Sequence, residues 1–240
     1  MKEISAKKKK KVFEGKTKVI YETDKEDYLI QEFKDDAPAF NGKKLGKIKA
    51  KGSVNNQISA YLFNYLENYH VPTHFIKQVS DVSMLVRKLE MIPLEVVMRN
   101  IATGSMVKRH GIKEGTELPR PTLEYYLKDE EKQDPVIDED RIVSFGHATQ
   151  DELQHIERST KKVNAVLKDF FARRNLKLVD FKLEFGRNKS GKLYLADEIS
   201  LDTCRFLDQD TNEKIDKDRQ DSSKVEEAYK EVLSRVFHLS

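Results

Sequence analysis

The sequence predicts an α+β fold in two lobes, an antiparallel β-rich lobe over residues 1–90 and a larger α+β lobe over 91–240. Three observations carry this. Apolar periodicity runs as strands, one helix, more strands, and then helices around a hairpin, and not as alternating βα units. The hairpin, from Leu178 to Asp197, alternates charged and apolar residues with period two. A polar, proline-bearing turn at Leu89–Pro93 is the natural seam between the lobes.

Val12–Tyr21 and Tyr28–Phe33 read as strands around the polar turn Thr23–Asp27. Ser53 can cap a helix to about Tyr69, with Ile58, Tyr61, Leu62, Tyr65, Leu66 and Tyr69 on one stripe and Pro72 ending it. Phe75–Val79, Val82–Leu89 and Leu94–Ile101 read as strands, the last starting after Pro93. Ser105 opens a short helix that Gly111 closes, and Glu114–Asp140 reads mostly as loop. Thr149 and Glu152 form a capping box for a helix striped by Leu153, Ile156, Val163, Leu167 and Phe170, ending near Asn175. After the hairpin, Val225, Tyr229, Val232 and Val236 mark a terminal helix.

Composition narrows the function classes. A chain of 240 residues can bury a firm core, and 38% hydrophobic with 35% charged content fits a soluble globular protein. No apolar stretch reaches membrane-spanning length, and Met1–Ala6 leads into lysines without a signal-peptide core. The single cysteine, Cys204, allows no internal disulfide and fits a reducing cytoplasm, where it reads as a small unreactive side chain. Net charge is only +3, which makes no electrostatic case for nucleic acid. The run Lys7–Lys11 reads as a solvated arm leading into the first strand. The six histidines lack metal-ligand or triad spacing; His70 and His74 are separated by Pro72.

The hairpin carries the most chemistry. Asp180, Lys182 and Glu184 share one strand face and Phe181, Leu183 and Phe185 the other. Folding Lys192–Glu198 back brings Asp197 to the charged face, although a one-residue slip would swap faces. Two carboxylates from different strands with a lysine between them suit Mg²⁺ and the phosphates it bridges. The same pattern also fits a plain solvated face.

Three further constellations add to it. Glu14-Gly15-Lys16-Thr17-Lys18 places Lys16 and Lys18 two apart on a strand beside a glycine, suiting a polyphosphate, although it is not a P-loop and also fits an exposed hairpin. Leu94–Ser105 delivers Arg99 near a strand end and then a helix start at Ser105, an arrangement that can clamp a phosphate; Arg99 could instead pair with Glu95. Asp197–Arg205 joins an acidic pair to a second arginine, as a metal ligand with a phosphate clamp or as a surface turn capped by Asp202.

Met91–Ser105, with Ile92-Pro93-Leu94-Glu95 and Arg99-Asn100 leading to Gly104-Ser105, resembles one signature of the phosphoribosylaminoimidazole-succinocarboxamide synthase (SAICAR synthetase) family. Asp180–Gly186 resembles the other. Glu14–Tyr21, Phe33–Gly42, Lys51–Asn56, Val71–His74 and Ala196–Arg205 also line up in family order, so the resemblance runs from about Val12 to Tyr229. It implies an ATP-dependent ligase of de novo purine biosynthesis. L-Aspartate would condense with the carboxylate of 5-amino-1-(5-phosphoribosyl)imidazole-4-carboxylate (CAIR), giving SAICAR, ADP and phosphate. It also implies two lobes clasping ATP, distantly like protein kinases and ATP-grasp enzymes, and a cytoplasmic homodimer.

Carried over by motif, Lys16 and Lys18 would contact ATP phosphates and Met91 the adenine. Glu184 and Asp197 would hold Mg²⁺. Arg99, Ser105 and Arg205 would grip the ribonucleotide phosphate, and Asp180 and Lys182 would lie by the imidazole carboxylate and amino group. Lys128, on a mobile loop, would close over the substrates. Leu201 stands where the family commonly has proline, and Asp216-Lys217-Asp218 is not followed by the family's Phe-Arg pair, which leaves the aspartate contacts unassigned. Two other classes compete: a small-molecule phosphotransferase using a kinase-like cleft, and a non-catalytic nucleotide- or RNA-associated module resting on the lysine arm.

Overall fold

The strand-forming run at the N-terminus folds as a hairpin and not as one strand. In this computed structural model, which describes residues 4–36, 39–40, 43–44, 46–129, 131, 134–215 and 222–238, β1 spans Lys8–Glu14 and β2 spans Lys18–Thr23. Gly15 donates its N–H to the Lys18 carbonyl at 2.9 Å and closes the turn. The expected single strand Val12–Tyr21 is therefore broken, and Lys16 and Lys18 do not share a strand face. Lys8–Lys11 also belong to β1 and are not a free arm; the strand is exposed along its length. As an edge strand, β1 carries charge that opposes sheet-to-sheet association.

β3 (Tyr28–Phe33) follows, then the short strands β4 (Ala39–Phe40) and β5 (Lys43–Lys44). Helix α1 (Lys51–Asn68) begins two residues before the Ser53 expected as its cap. Ala50 turns the chain with φ 62°, and the side chain of Asp35 accepts the Gly52 N–H at 2.8 Å. The partner for the helix start is thus supplied from distant sequence. β6 (Phe75–Ser80) and β7 (Ser83–Arg87) complete a five-stranded antiparallel sheet in the order β1-β2-β3-β7-β6.

β8 (Glu90–Met91) and β9 (Leu94–Ile101) begin the second sheet. Helix α2 (Ser105–His110) ends at Gly111, left-handed at φ 63° as its position requires. The supposed loop Glu114–Asp140 instead contains β10 (Glu117–Leu127), β11 (Val136–Ile137) and the start of α3 (Glu139–Ser144). Pro119 and Pro121 concealed β10, yet both fall where its ladder with β9 shifts register, between Glu117 and Thr122. The missing N–H groups therefore interrupt no regular pairing.

α4 (Gln150–Ala172) opens on the expected capping box, with reciprocal Thr149 and Glu152 hydrogen bonds, and buries its five expected apolar residues. β12 (Leu176–Arg187) and β13 (Leu193–Ala196) form the hairpin, and β14 (Cys204–Asp208) and β15 (Lys214–Ile215) follow. The eight-stranded sheet runs β11-β10-β9-β12-β14-β15, with β8 and β13 both pairing with β12. α5 (Ser222–Phe237) packs on α1 and buries Val225, Tyr229, Val232 and Val236. The Asp216–Asp221 stretch and residues 37, 38, 41 and 42 of the Phe33–Gly42 motif lie outside the described residues.

One apolar cluster joins the helices to both sheets. Leu62, Phe63 and Leu66 of α1 are fully buried in it, each contributing about 1.5–3 kcal/mol. Beside that shared core, Lys18 of β2 and Gln31 of β3 reach Asp197, just after β13, and so bring the first sheet to the charged face of β12.

Candidate active site

The pairing of β12 with its neighbours lines up the site. Asp180 is opposite Arg99 of β9 on one side and opposite Arg205 of β14 on the other. The two arginines flank one carboxylate. Arg99 Nη1 lies 2.5 Å from Asp180 Oδ2, and Arg205 Nε lies 3.7 Å from Asp180 Oδ1. Arg205 also donates to Thr103 Oγ1 at 3.4 Å and lies 3.1 Å from where a Cβ would stand on Gly104, whose φ is +59°. Glycine is needed there both for the left-handed backbone and for the guanidinium.

Arg99 is buried and does not pair with Glu95. Its Nε donates to Glu124 Oε2 at 2.7 Å, and its Nη2 to the Tyr126 hydroxyl at 3.2 Å. Burial would lower the Arg99 pKa, but Glu124 and Asp180 outweigh it and hold the guanidinium more firmly charged than usual. Ser105 Oγ sits 3.0 Å from the Tyr126 hydroxyl, and Arg109 bonds Ser105 and Glu124. Arg99, Ser105, Tyr126, Asp180, Lys182 and Arg205 line a cavity of about 490 Å³.

Beside this wall, lysines and carboxylates alternate. Lys182 Nζ lies 2.6 Å from Glu184 Oε1 and 3.2 Å from both Asp197 Oδ2 and Glu95 Oε1. The other oxygen of Asp197 pairs with Lys18, which also reaches Glu198 Oε1 at 2.6 Å. The other oxygen of Glu184 meets Lys128 Nζ at 2.8 Å. Burial would raise the Asp197 pKa, but the Lys18 and Lys182 ammonium groups prevail and hold it far below the usual carboxylate range. Burial likewise opposes charge on Lys18 and Lys182, and Asp197 with its acidic neighbours overrides it, so both ammonium groups bind their protons more tightly than free lysine. Asp197 itself stands at φ 61°, a left-handed conformation uncommon outside glycine.

Asp180, Lys182, Glu184 and Asp197 thus do converge, as the hairpin pattern predicts, and Arg99, Ser105 and Arg205 gather at one end of the same face. Lys18 joins them from β2. Lys16 lies exposed in the β1–β2 turn. Lys128 opens the segment between β10 and β11, directly after β10, with its N–H on the Pro93 carbonyl at 3.0 Å. Met91 lies on β8 opposite Gly186, and a Cβ on that glycine would come within 2.8 Å of Leu89 Cβ and 3.1 Å of Met91 Sδ. Cys204 is buried in β14, as expected of an unreactive side chain.

Glu124, Tyr126 and Arg109 were not anticipated, whereas Glu198 belongs to the acidic pair that the sequence shows. Glu124 and Tyr126 share a face of β10 two residues apart, a signal lost when that segment reads as loop. Asp202 does not cap a surface turn. Its side chain is nearly inaccessible, accepting from Lys51 at 2.6 Å, Asn55 at 2.8 Å and Tyr229 at 2.5 Å.

Among the described residues, no three His, Cys, Asp or Glu side chains converge as a metal centre. Two carboxylates do converge, Glu184 and Asp197, both within reach of the single Lys182 nitrogen. That hard-oxygen pair around one cationic position fits Mg²⁺, which commonly takes one or two carboxylates and completes its shell with water and phosphate.

A sheet face of interleaved lysines and carboxylates, beside an arginine-flanked cavity, defines a phosphate-handling enzyme of the α+β class. Comparison with known proteins narrows this. Residues 11–236 match the family model described as SAICAR synthetase. The phosphoribosylaminoimidazole-succinocarboxamide synthase of Chlorobium phaeovibrioides is 55% identical over 228 residues, 94% of this chain and 95% of that protein. The crystal structure of the enzyme of that name from Ehrlichia chaffeensis superposes with a TM-score of 0.91 at 42% identity, covering 96% of this chain and all of the other. A SAICAR synthetase in complex with ADP superposes at 0.90 with 46% identity, covering 94% of this chain and 97% of that one. The chain belongs to the SAICAR synthetase family.

Proposed function

We propose that this chain is an ATP-dependent ligase of purine biosynthesis that joins L-aspartate to the carboxylate of CAIR, giving SAICAR, ADP and phosphate. The observation that carries the reading is the continuous chain Lys18–Asp197–Lys182–Glu184–Lys128 beside the arginine-flanked cavity. It offers positive charge for phosphates, two carboxylates for a divalent ion, and a neighbouring pocket for an anionic acceptor. Family membership and the ADP complex of a related structure support the same reading.

The chemistry needs such a centre. A carboxylate is a poor acyl donor because oxide is a poor leaving group. Transfer of the γ-phosphoryl group to a carboxylate oxygen breaks the bond to ADP and makes phosphate the leaving group. The aspartate amine then forms the C–N bond, the C–O bond to phosphate breaks, and the nitrogen releases a proton. Such transfer depends on positioning and charge neutralisation. Lys18 and Lys182, with pKa values raised above that of free lysine, act as fixed charges and not as bases.

The residue roles are those that the family resemblance implies, and the placement of Lys18, Lys182, Glu184 and Asp197 in one cluster supports them. Lys18, with Lys16 in the turn before it, contacts ATP phosphates, and Met91 on β8 meets the adenine. Glu184 and Asp197 hold Mg²⁺, which supplies charge neutralisation on the transferred group. Arg99, Ser105 and Arg205 hold the ribonucleotide phosphate, Asp180 and Lys182 face the imidazole substituents, and Lys128 covers the substrates. The lobes divide near residue 90, a boundary supported by the two sheets, whose strands lie on either side of it. The working form is a cytoplasmic homodimer. The test is product formation: with ATP, Mg²⁺, L-aspartate and CAIR, ADP and SAICAR should appear only when all four are present. ADP release that continues over many turnovers at an undiminished rate without aspartate would reject the ligase reading.

A further inference from the structure

Asp197 is strained in a way that β13 alone does not explain. Its φ of 61° immediately follows the end of β13 at Ala196, and its carboxylate occupies the centre of the charged cluster. Its backbone carbonyl is gripped from the other sheet: Gln31 of β3, itself buried, donates its side-chain N–H to that oxygen at 3.1 Å. The neighbouring buried imidazole of His74 also bears on the Asp197 backbone. The preceding residues are fixed in the same way. Leu195 exchanges backbone hydrogen bonds with Pro72 at 2.9 Å and His74 at 2.8 Å, so the segment before β6 seats β13 as well.

We infer that Gln31 is a positioning residue for the ligase reaction: it holds Asp197 in the left-handed conformation and thereby lets the N-terminal sheet set where that carboxylate points. The inference rests on the proposed role of Asp197 in holding Mg²⁺. A left-handed aspartate persists only where its surroundings over-determine it. Here the surroundings are the buried Gln31 amide on the Asp197 carbonyl, the His74 imidazole on the same backbone, and the bridge of Leu195 with Thr73. Without the amide, the Asp197–Glu198 peptide loses that anchor, the Asp197 backbone relaxes toward extended conformation, and the carboxylate leaves the position between Lys18 and Lys182. Gln31 touches neither substrate nor the reacting atoms. It acts through Asp197 only.

The experiment uses the full-length protein. Gln31→Leu removes the donor at similar volume, and Gln31→Asn keeps an amide too short to reach, in case the first does not fold. Folding of each is checked by thermal melting. The expected result is a kcat about tenfold lower, the worth of one lost hydrogen bond, with the KM for CAIR unchanged. Calorimetry should show ADP binding weakened by a similar factor in Mg²⁺ and unaltered in EDTA. In an Asp197→Asn background, Gln31→Leu should weaken ADP–Mg²⁺ binding no further. Unchanged kcat in a folded Gln31 variant, a rise only in the KM for CAIR, or equal losses of ADP binding with and without Mg²⁺ would overturn the inference. If Asp197→Asn alone binds ADP–Mg²⁺ as tightly as the parent, the metal reading fails and the role of Gln31 falls with it. If Asp197→Asn is impaired while Gln31→Leu is not, only the positioning role fails.

Discussion

Arg99→Ala should act first on stability and only second on substrate binding. Arg99 joins three strands: its own β9, Glu124 on β10 and Asp180 on β12. Both carboxylate side chains are nearly inaccessible, at 8% and 6% exposed. Removing one member of a buried ion pair typically costs about 3–5 kcal/mol, because the remaining charge is left without its partner. Two features place this case at the low end. Glu124 keeps Arg109 and the Tyr126 hydroxyl, and Asp180 keeps Arg205 at 3.7 Å. A loss of about 3 kcal/mol in a chain of this size lowers the melting temperature by roughly 6–12 °C. Differential scanning calorimetry, with urea unfolding as a cross-check, measures it directly. Steady-state kinetics on the folded fraction should in addition show a raised KM for CAIR. A variant that melts within about 2 °C of the parent would show that the Asp180–Arg99–Glu124 network does not hold the sheet together, and would leave Arg99 as a substrate contact alone.

Asp197→Asn should lower kcat sharply at saturating substrates, since it removes a charge from the proposed metal position; an unchanged kcat would remove Asp197 from the chemistry. Gly186→Ala should push β8 off β12, because the added Cβ would approach Leu89 Cβ to 2.8 Å and the Glu90 carbonyl to 3.1 Å. The expected cost is about 1–3 kcal/mol in urea unfolding, with a raised KM for ATP if Met91 meets the adenine. Thr149→Ala removes the cap of α4 and should cost about 1 kcal/mol without altering KM for any substrate. Glu152 gives a pH signature. The Arg187 hydrogen bonds hold its pKa at about 2 in the folded protein against an ordinary glutamate's 4.5, so the pair contributes fully above that unfolded value and is lost as pH falls toward 2. Glu152→Gln should therefore flatten the acid limb of a stability–pH curve between those values, and an unaltered limb would contradict the shift.

The parts legible in the sequence are those whose cause is local. The face shared by Asp180, Lys182 and Glu184 follows from strand periodicity, and the register of β12 with β13 put Asp197 beside it as the short turn suggested. The capping box of α4 and the glycine closing α2 are likewise short-range devices. Features set by distant partners were not visible. α1 starts at Lys51 because Asp35 and Asp202 serve its first turn from elsewhere in the chain. β10 was hidden by two prolines whose missing N–H groups coincide with a register shift that only the fold defines. Misreading β10 in turn concealed Glu124 and Tyr126. Gln31 gives no sequence signal at all, since a lone glutamine in a short strand looks like any solvated position until the backbone of Asp197 closes over it.

A crystal structure with ADP, Mg²⁺ and CAIR bound tests the central assignment most directly. The expected result places the metal between Glu184 and Asp197, with the Lys18 and Lys182 ammonium groups turned onto phosphate oxygens and the CAIR phosphate between Arg99 and Arg205. A metal bound elsewhere, with Lys182 still bridging the two carboxylates, would contradict it.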